Sequence, residues 1–170
     1  MKGSRNAKGF TLIEMITTIA VLGIVLTIAV FSFKEVIWRN QVNVAANEFV
    51  SILSFARSEA VTRGQVVWVC RSSDGNTCNM PDGGWEAGYI VFADANGNET
   101  CENDELLRVA AGPGGGVTMG GNGGVTNRIR YAATGFLSGG VGNGTVQIVH
   151  PSKTINVVLS RNGRVKTVVK

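Results

Sequence analysis

The 170-residue chain has one histidine and three cysteines. With so few imidazole and thiol groups, no nucleophile–base pair can be assembled and no His/Cys metal cluster exists. An enzyme is excluded on that ground, and no cofactor or metal is expected. Proline is scarce as well, with three residues, none of them before Pro81. Nothing therefore interrupts a helix over 10–63, and Gly64 is the first natural stop. The apolar run Phe10–Phe33 carries one ionisable residue, Glu14, and no A-x-A-like cleavage site follows it. A cleaved secretory signal is thereby excluded. The glycine-rich stretch 112–124, with eight glycines in thirteen residues, lacks the following G-K-[ST] of a phosphate-binding loop and is expected to be a flexible loop.

What is present begins with a basic stub. Lys2, Arg5 and Lys8 precede the apolar run, and residues 1–9 contain no acid. At 1.5 Å per residue, 24 helical residues reach about 36 Å, enough to cross a hydrocarbon core of about 30 Å. The run 10–33 is therefore expected to be retained as a transmembrane helix, its basic end cytoplasmic and the remainder exported. Beyond it, Trp38, Val42, Ala45, Phe49, Ile52, Ala56 and Ala60 recur at spacings of three and four. They mark the buried stripe of an amphipathic helix over 34–63, with Glu59 and Arg63 paired on its wet side.

From Gln65 the period changes. Residues 65–70, 88–93, 105–110, 128–132, 144–150, 153–160 and 164–169 read as short strands separated by turn residues. Asn162-Gly163 signals a two-residue hairpin, and His150–Lys153 a weaker turn. The fold class is α+β: a long N-terminal helix packed on a small antiparallel β head over 64–170.

Gly9-Phe10-Thr11-Leu12-Ile13-Glu14, placed where charge meets hydrophobicity, resembles the leader cleavage and N-methylation site of type IV pilins and type II secretion pseudopilins. Phe55–Gly64, Trp85–Asp94 and Asn162–Lys166 are similar to the GspH/FimT group of minor pilins and pseudopilins. The resemblance implies cleavage after Gly9 by a prepilin peptidase and N-methylation of Phe10. Glu14 then becomes the fifth mature residue and pairs with the N-terminal amine of a neighbouring subunit during assembly. An acid in an apolar span costs a few kcal/mol on insertion scales, so Glu14 is a functional candidate on physical grounds too. The implied partners are other pilin or pseudopilin subunits, the peptidase and the inner membrane. The head would lie in the periplasm, and the filament would be an extracellular pilus or a periplasmic pseudopilus. The reading is a minor type IV pilin acting in assembly or priming at the tip; the alternative is a minor pseudopilin of type II secretion.

Charge is unevenly placed. Between Asp74 and Glu105 there are eight acids and no Lys or Arg; from Leu106 onward there are eight basic residues and no acid. Loss of the leader's three positives takes the net charge from +4 to +1. Complementary charge suits ordered contact with neighbouring subunits. Some group members with a C-terminal G-R-x-[RK] pattern, matched here by Gly163-Arg164-Val165-Lys166, bind double-stranded DNA in natural transformation. Arg161, Arg164, Lys166 and Lys170, with Arg128 and Arg130, are the candidate phosphate contacts.

Export implies an oxidising compartment, where cysteines pair. Cys70 and Cys78 enclose a short loop with an Asp-Gly turn, which favours that disulfide. Cys101 is then free, or takes one of them in an alternative pairing. Asp94–Glu105 places oxygen-bearing residues at positions 1, 3, 5, 7, 9 and 12, as a calcium loop does. Position 6 is Glu99 where glycine is needed and no flanking helices are apparent, so an Asn96-Gly97 turn is the expectation.

Overall fold

The computed structural model describes residues 9–79, 82–102, 104–140 and 143–170. The basic stub with Lys2, Arg5 and Lys8 lies outside them. Among the described residues, helix α1 (Leu12–Arg63) is followed by eight strands, with one 3-10 turn at Trp85–Ala87 between the first two: β1 (Val66–Arg71), β2 (Tyr89–Asp94), β3 (Leu106–Ala110), β4 (Thr118–Gly123), β5 (Arg128–Tyr131), β6 (Gly144–His150), β7 (Lys153–Leu159) and β8 (Val165–Val169). The chain forms two compact units that divide within α1, Met1–Ile37 and Trp38–Lys170.

In the first unit the apolar side chains of Phe10, Leu12, Ile13, Ile16, Ile19 and Leu22 are exposed. Thr17, Thr18 and Thr27 each donate a hydroxyl hydrogen bond to the carbonyl three residues earlier, at 2.7–3.0 Å. Those bonds satisfy the hydroxyls within the helix itself. Among the described residues no helix is long and apolar enough to cross a membrane; the side chains of residues 28–32, which belong to the apolar run, lie outside that description.

In the second unit the helical stripe is buried as its spacing demands: Val42, Ala45, Phe49, Ile52, Ala56 and Ala60 are inside, joined by Ala46 and Leu53. Trp38 is the exception, 39% exposed, its ring 5.0 Å from that of His150. Glu59 accepts from Arg63 at 2.6 Å on the wet side. Gly64 ends the helix at φ 66, and the Gln65 amide donates to the Ala60 carbonyl at 3.3 Å, closing the last turn as a Schellman bond.

The strands form two antiparallel four-stranded sheets, ordered β3-β2-β1-β5 and β4-β6-β7-β8. Both turn one face to the helix around a single core, in which Phe49, Trp85 and Tyr89 meet edge to face at centroid distances of 5.3–6.1 Å. The first sheet is buried on its other face too, where Trp68, Cys70, Ile90 and Phe92 form a second cluster with Cys78, Cys101 and Leu106. That explains why β1 and β2 are apolar up to their last residues, Arg71 and Asp94. The second sheet alternates instead: Val146, Ile148, Ile155, Val157 and Leu159 face in, while Gln147 faces solvent.

The seven expected strands are present, each within one residue of its expected ends. Two features depart from expectation. The glycine-rich stretch is not loop throughout: β4 lies inside it and pairs with β6 from Thr118↔Val149 to Gly123↔Gly144. Buried Val117 and Met119 anchor it, and the ladder satisfies its backbone. The β7–β8 hairpin also has a three-residue loop. Ser160 donates to the Arg164 carbonyl, Gly163 donates to the Ser160 carbonyl, and Gly163 alone is left-handed, at φ 75. A two-residue type I′ turn would need positive φ at Asn162 as well, and Asn162 does not adopt it.

Candidate functional site

Three surfaces carry the candidate residues. The first is the N-terminal box. Gly9 is exposed, with open space around it, and Phe10 is 85% exposed. Helix α1 starts directly after Thr11, whose hydroxyl accepts from the Glu14 amide at 3.3 Å while Glu14 Oε2 accepts from the Thr11 amide at 3.5 Å. This reciprocal pair is a capping box, satisfying two amides that the helix start leaves open. Glu14 is thus a helix-capping residue as well as an assembly candidate. The T-x-x-E spacing is the signal that would have shown it.

The second surface holds the basic residues, which the fold divides between two sheets. Arg128 and Arg130 share a face of β5, as strand alternation requires. That face is the one carrying Trp68, and both guanidinium groups lie over its ring, 4.7 and 5.5 Å from the centroid. Arg128 also pairs with Glu99 at 3.0 Å. The remaining candidates belong to the β7–β8 hairpin, where Arg161, Arg164, Lys166 and Lys170 are all exposed. β8 is the free edge of its sheet. Arg164, Lys166 and Lys170 share the parity that strand alternation sets opposite the half-buried Val165. The segment Leu137-Ser138 joins the two groups: Leu137 donates to the Arg161 carbonyl and Ser138 to that of Arg130. Beside it stands Phe136, 52% exposed, an aromatic face that its isolated place in the sequence did not reveal.

The third surface is the acidic one. Cys70 and Cys78 are disulfide-bonded, with Cα atoms 5.7 Å apart. Inside that loop Asp74 accepts from Thr77 Oγ1 (2.6 Å), the Thr77 and Asn76 amides and Ser72 Oγ. Those bonds, the Thr77 hydroxyl first, hold its carboxyl well below the usual carboxylate range. Cys101 is free, and burial, with Glu105 and Asp74 nearby, pushes its thiol up to about 11. It is protonated at neutral pH and so a poor nucleophile. Beyond the disulfide loop, Asn96-Gly97 makes no tight hairpin, because residues 95–105 separate β2 from β3.

Residues 45–163 match the family described as type II transport protein GspH, and residues 4–30 match the prokaryotic N-terminal methylation motif. Among solved structures, the type IV minor pilin FimU of Pseudomonas aeruginosa is similar, at 22% identity and a TM-score of 0.59, over 75% of this chain and 88% of that one. The minor pseudopilin EpsH of the Vibrio cholerae type 2 secretion system is similar at 13% identity and a TM-score of 0.53, over 76% of this chain and 97% of that one. No curated protein matches significantly.

Proposed function

From the premise that the chain belongs to the GspH family of pilin-like subunits, structural proteins rather than enzymes, we propose that it is a minor type IV pilin acting in filament assembly or priming at the tip. The observation that carries this reading is a contrast between the two units. The head buries its own apolar residues in two clusters, whereas the first unit exposes Phe10, Leu12, Ile13 and Ile16 around Glu14. Burying such a side chain is worth about 1.5–3 kcal/mol, so this helix needs a non-aqueous cover. Lipid supplies it first, with the run 10–33 as a single span, and neighbouring subunits supply it in the filament.

In that sequence of events Glu14 exchanges partners. Before assembly its carboxylate caps the helix; in the filament it accepts the methylated Phe10 amine of the next subunit, so that two charges costly in lipid neutralise each other. Glu14→Gln separates the two roles, because glutamine still closes a capping box but carries no charge. Incorporation into sheared filaments is expected to fall at least about 100-fold, as for an unpaired buried charge, while the membrane pool stays normal. Normal incorporation would remove the assembly role.

A second activity is favoured by one observation: Arg164, Lys166 and Lys170 are all exposed, on and directly flanking the free edge strand β8. With Arg161 they offer four cations to duplex phosphates without reading sequence. Arg128 and Arg130, already engaged with Trp68, contribute less. Four contacts imply a log–log salt slope of roughly −3 to −4 for the full chain in detergent. Replacing Arg164 and Lys166 by Gln should remove about two units of that slope. No electrophoretic shift at low salt would end this reading.

A further inference from the structure

We infer that the β2–β3 connection holds a calcium site built from Asp94, Asn96, Asn98, Thr100 and Glu105. The loop carries five acids in twelve residues, and Glu99 has taken Arg128 as its partner. Asp94 and Glu105, at its two ends, are the acids that matter, being only 6% and 5% exposed. Asp94 Oδ2 accepts from the Trp68 indole at 3.1 Å and the Glu99 amide at 3.3 Å. Glu105 Oε1 accepts from the Ala95 amide at 2.9 Å. That last bond ties the Glu105 carboxylate to the residue beside Asp94, at the neck of the loop. Their other oxygens, Asp94 Oδ1 and Glu105 Oε2, are buried without a hydrogen-bond partner among the described residues. A carboxylate oxygen removed from water with nothing to accept is costly, and two at one neck are more so. A divalent cation between them resolves both.

The rest of the loop supplies oxygen at calcium spacing. Asn96 and Asn98 stand at positions 3 and 5. Their amide nitrogens are held by Glu102 at 3.3 and 3.0 Å, and their oxygens accept the Asn98 and Thr100 amides on the other side. Thr100 offers its carbonyl at position 7 and Glu105 stands at 12, while Glu102 at 9 is turned to the Asn96 and Asn98 amide nitrogens. The objection from sequence was position 6, where glycine is wanted because the chain must turn left-handed. Glu99 occupies that position at φ 59, and is the one non-glycine residue with positive φ among those described. The residue type differs from the calcium pattern, but Glu99 adopts the left-handed φ that the pattern's glycine supplies.

The donor chemistry selects the ion. Among the described residues no three His, Cys, Asp or Glu side chains form a ready cluster. The coordination must therefore be completed by amide and backbone oxygens, which suit calcium and not zinc. Magnesium binds less well, because it demands a tight octahedron that an eleven-residue connection does not impose.

The test titrates calcium into the chelator-stripped full chain in detergent, followed by thermal unfolding and tryptophan fluorescence, which Trp68 makes sensitive to Asp94. Saturable binding at about 10⁻⁴–10⁻³ M, with a melting rise of several degrees that equal magnesium does not produce, is the expected result. Glu105→Gln should weaken binding at least tenfold. Asn98→Asp, at an exposed position, exchanges the bond to Glu102 for a second carboxylate, so it should tighten calcium binding by adding a charged ligand, and it decides the matter if Glu105→Gln fails to fold. No calcium-dependent change in wild type or Asn98→Asp at about 10 mM overturns the site; so does a shift of equal size with magnesium or in folded Glu105→Gln.

Discussion

Gly9→Val is expected to leave the chain as an uncleaved precursor that reaches the membrane and goes no further. A Cβ at Gly9 meets nothing within 4 Å, so the folded chain has room for the branched side chain. The loss therefore belongs to the peptidase, which must bring the carbonyl before Phe10 into line with its own groups. A displacement of about 1 Å in such a step costs roughly 10²-fold. N-terminal sequencing of the membrane pool checks it: chains beginning at Phe10 in normal yield would disprove the leader assignment. The same strain distinguishes the two machines open to this family. Loss of surface filaments with secretion intact identifies a pilus subunit, and the converse identifies a pseudopilin.

Gly112→Ala should destabilise the head by about 1–3 kcal/mol or more, the range for overpacking. A Cβ on Gly112 would fall within bonding distance of the Glu86 carbonyl oxygen, a backbone atom that cannot rotate away. Glu86 is anchored in turn, accepting from the Gly84 amide at 3.0 Å and the Met119 amide at 2.8 Å. Its neighbour Trp85 is wholly buried, with its indole donating to the Val125 carbonyl. Any shift that admits the methyl group disturbs β4 and the aromatic core together. At about 2–4 °C per kcal/mol, melting followed by circular dichroism should fall by several degrees. Gly120→Ala is the control: its φ is not positive, nothing lies within 4 Å of its Cβ, and the change should stay within about 0.5 kcal/mol. Equal melting of the two variants would show that the 112–124 stretch is as loose as its composition suggests.

Legibility in this chain follows the range of the interaction. The Thr11–Glu14 capping box spans four residues and is legible from its T-x-x-E spacing. The helical stripe, the strand segments and the Cys70–Cys78 loop are likewise local, and their periodicity or short closure carries them. Strand β4 was hidden because glycine has weak strand propensity. It forms through its ladder with β6 and through buried Val117 and Met119.

The sequence by itself determined the leader box, the break from helix to strand at Gly64 and the separation of acidic from basic segments, since each is a pattern among near neighbours. Only the tertiary structure decided which charges remain available. Trp68 stands sixty residues before Arg128, and only the pairing of β1 with β5 places the arginine over the indole. The same fold brings Glu105 back to Ala95 and turns Glu99 left-handed, converting an acidic stretch into a loop with two unsatisfied buried oxygens. Composition records how many charges a segment has. Which of them meet a ring, a counterion or nothing depends on burial and strand register, and those exist only once the chain has folded.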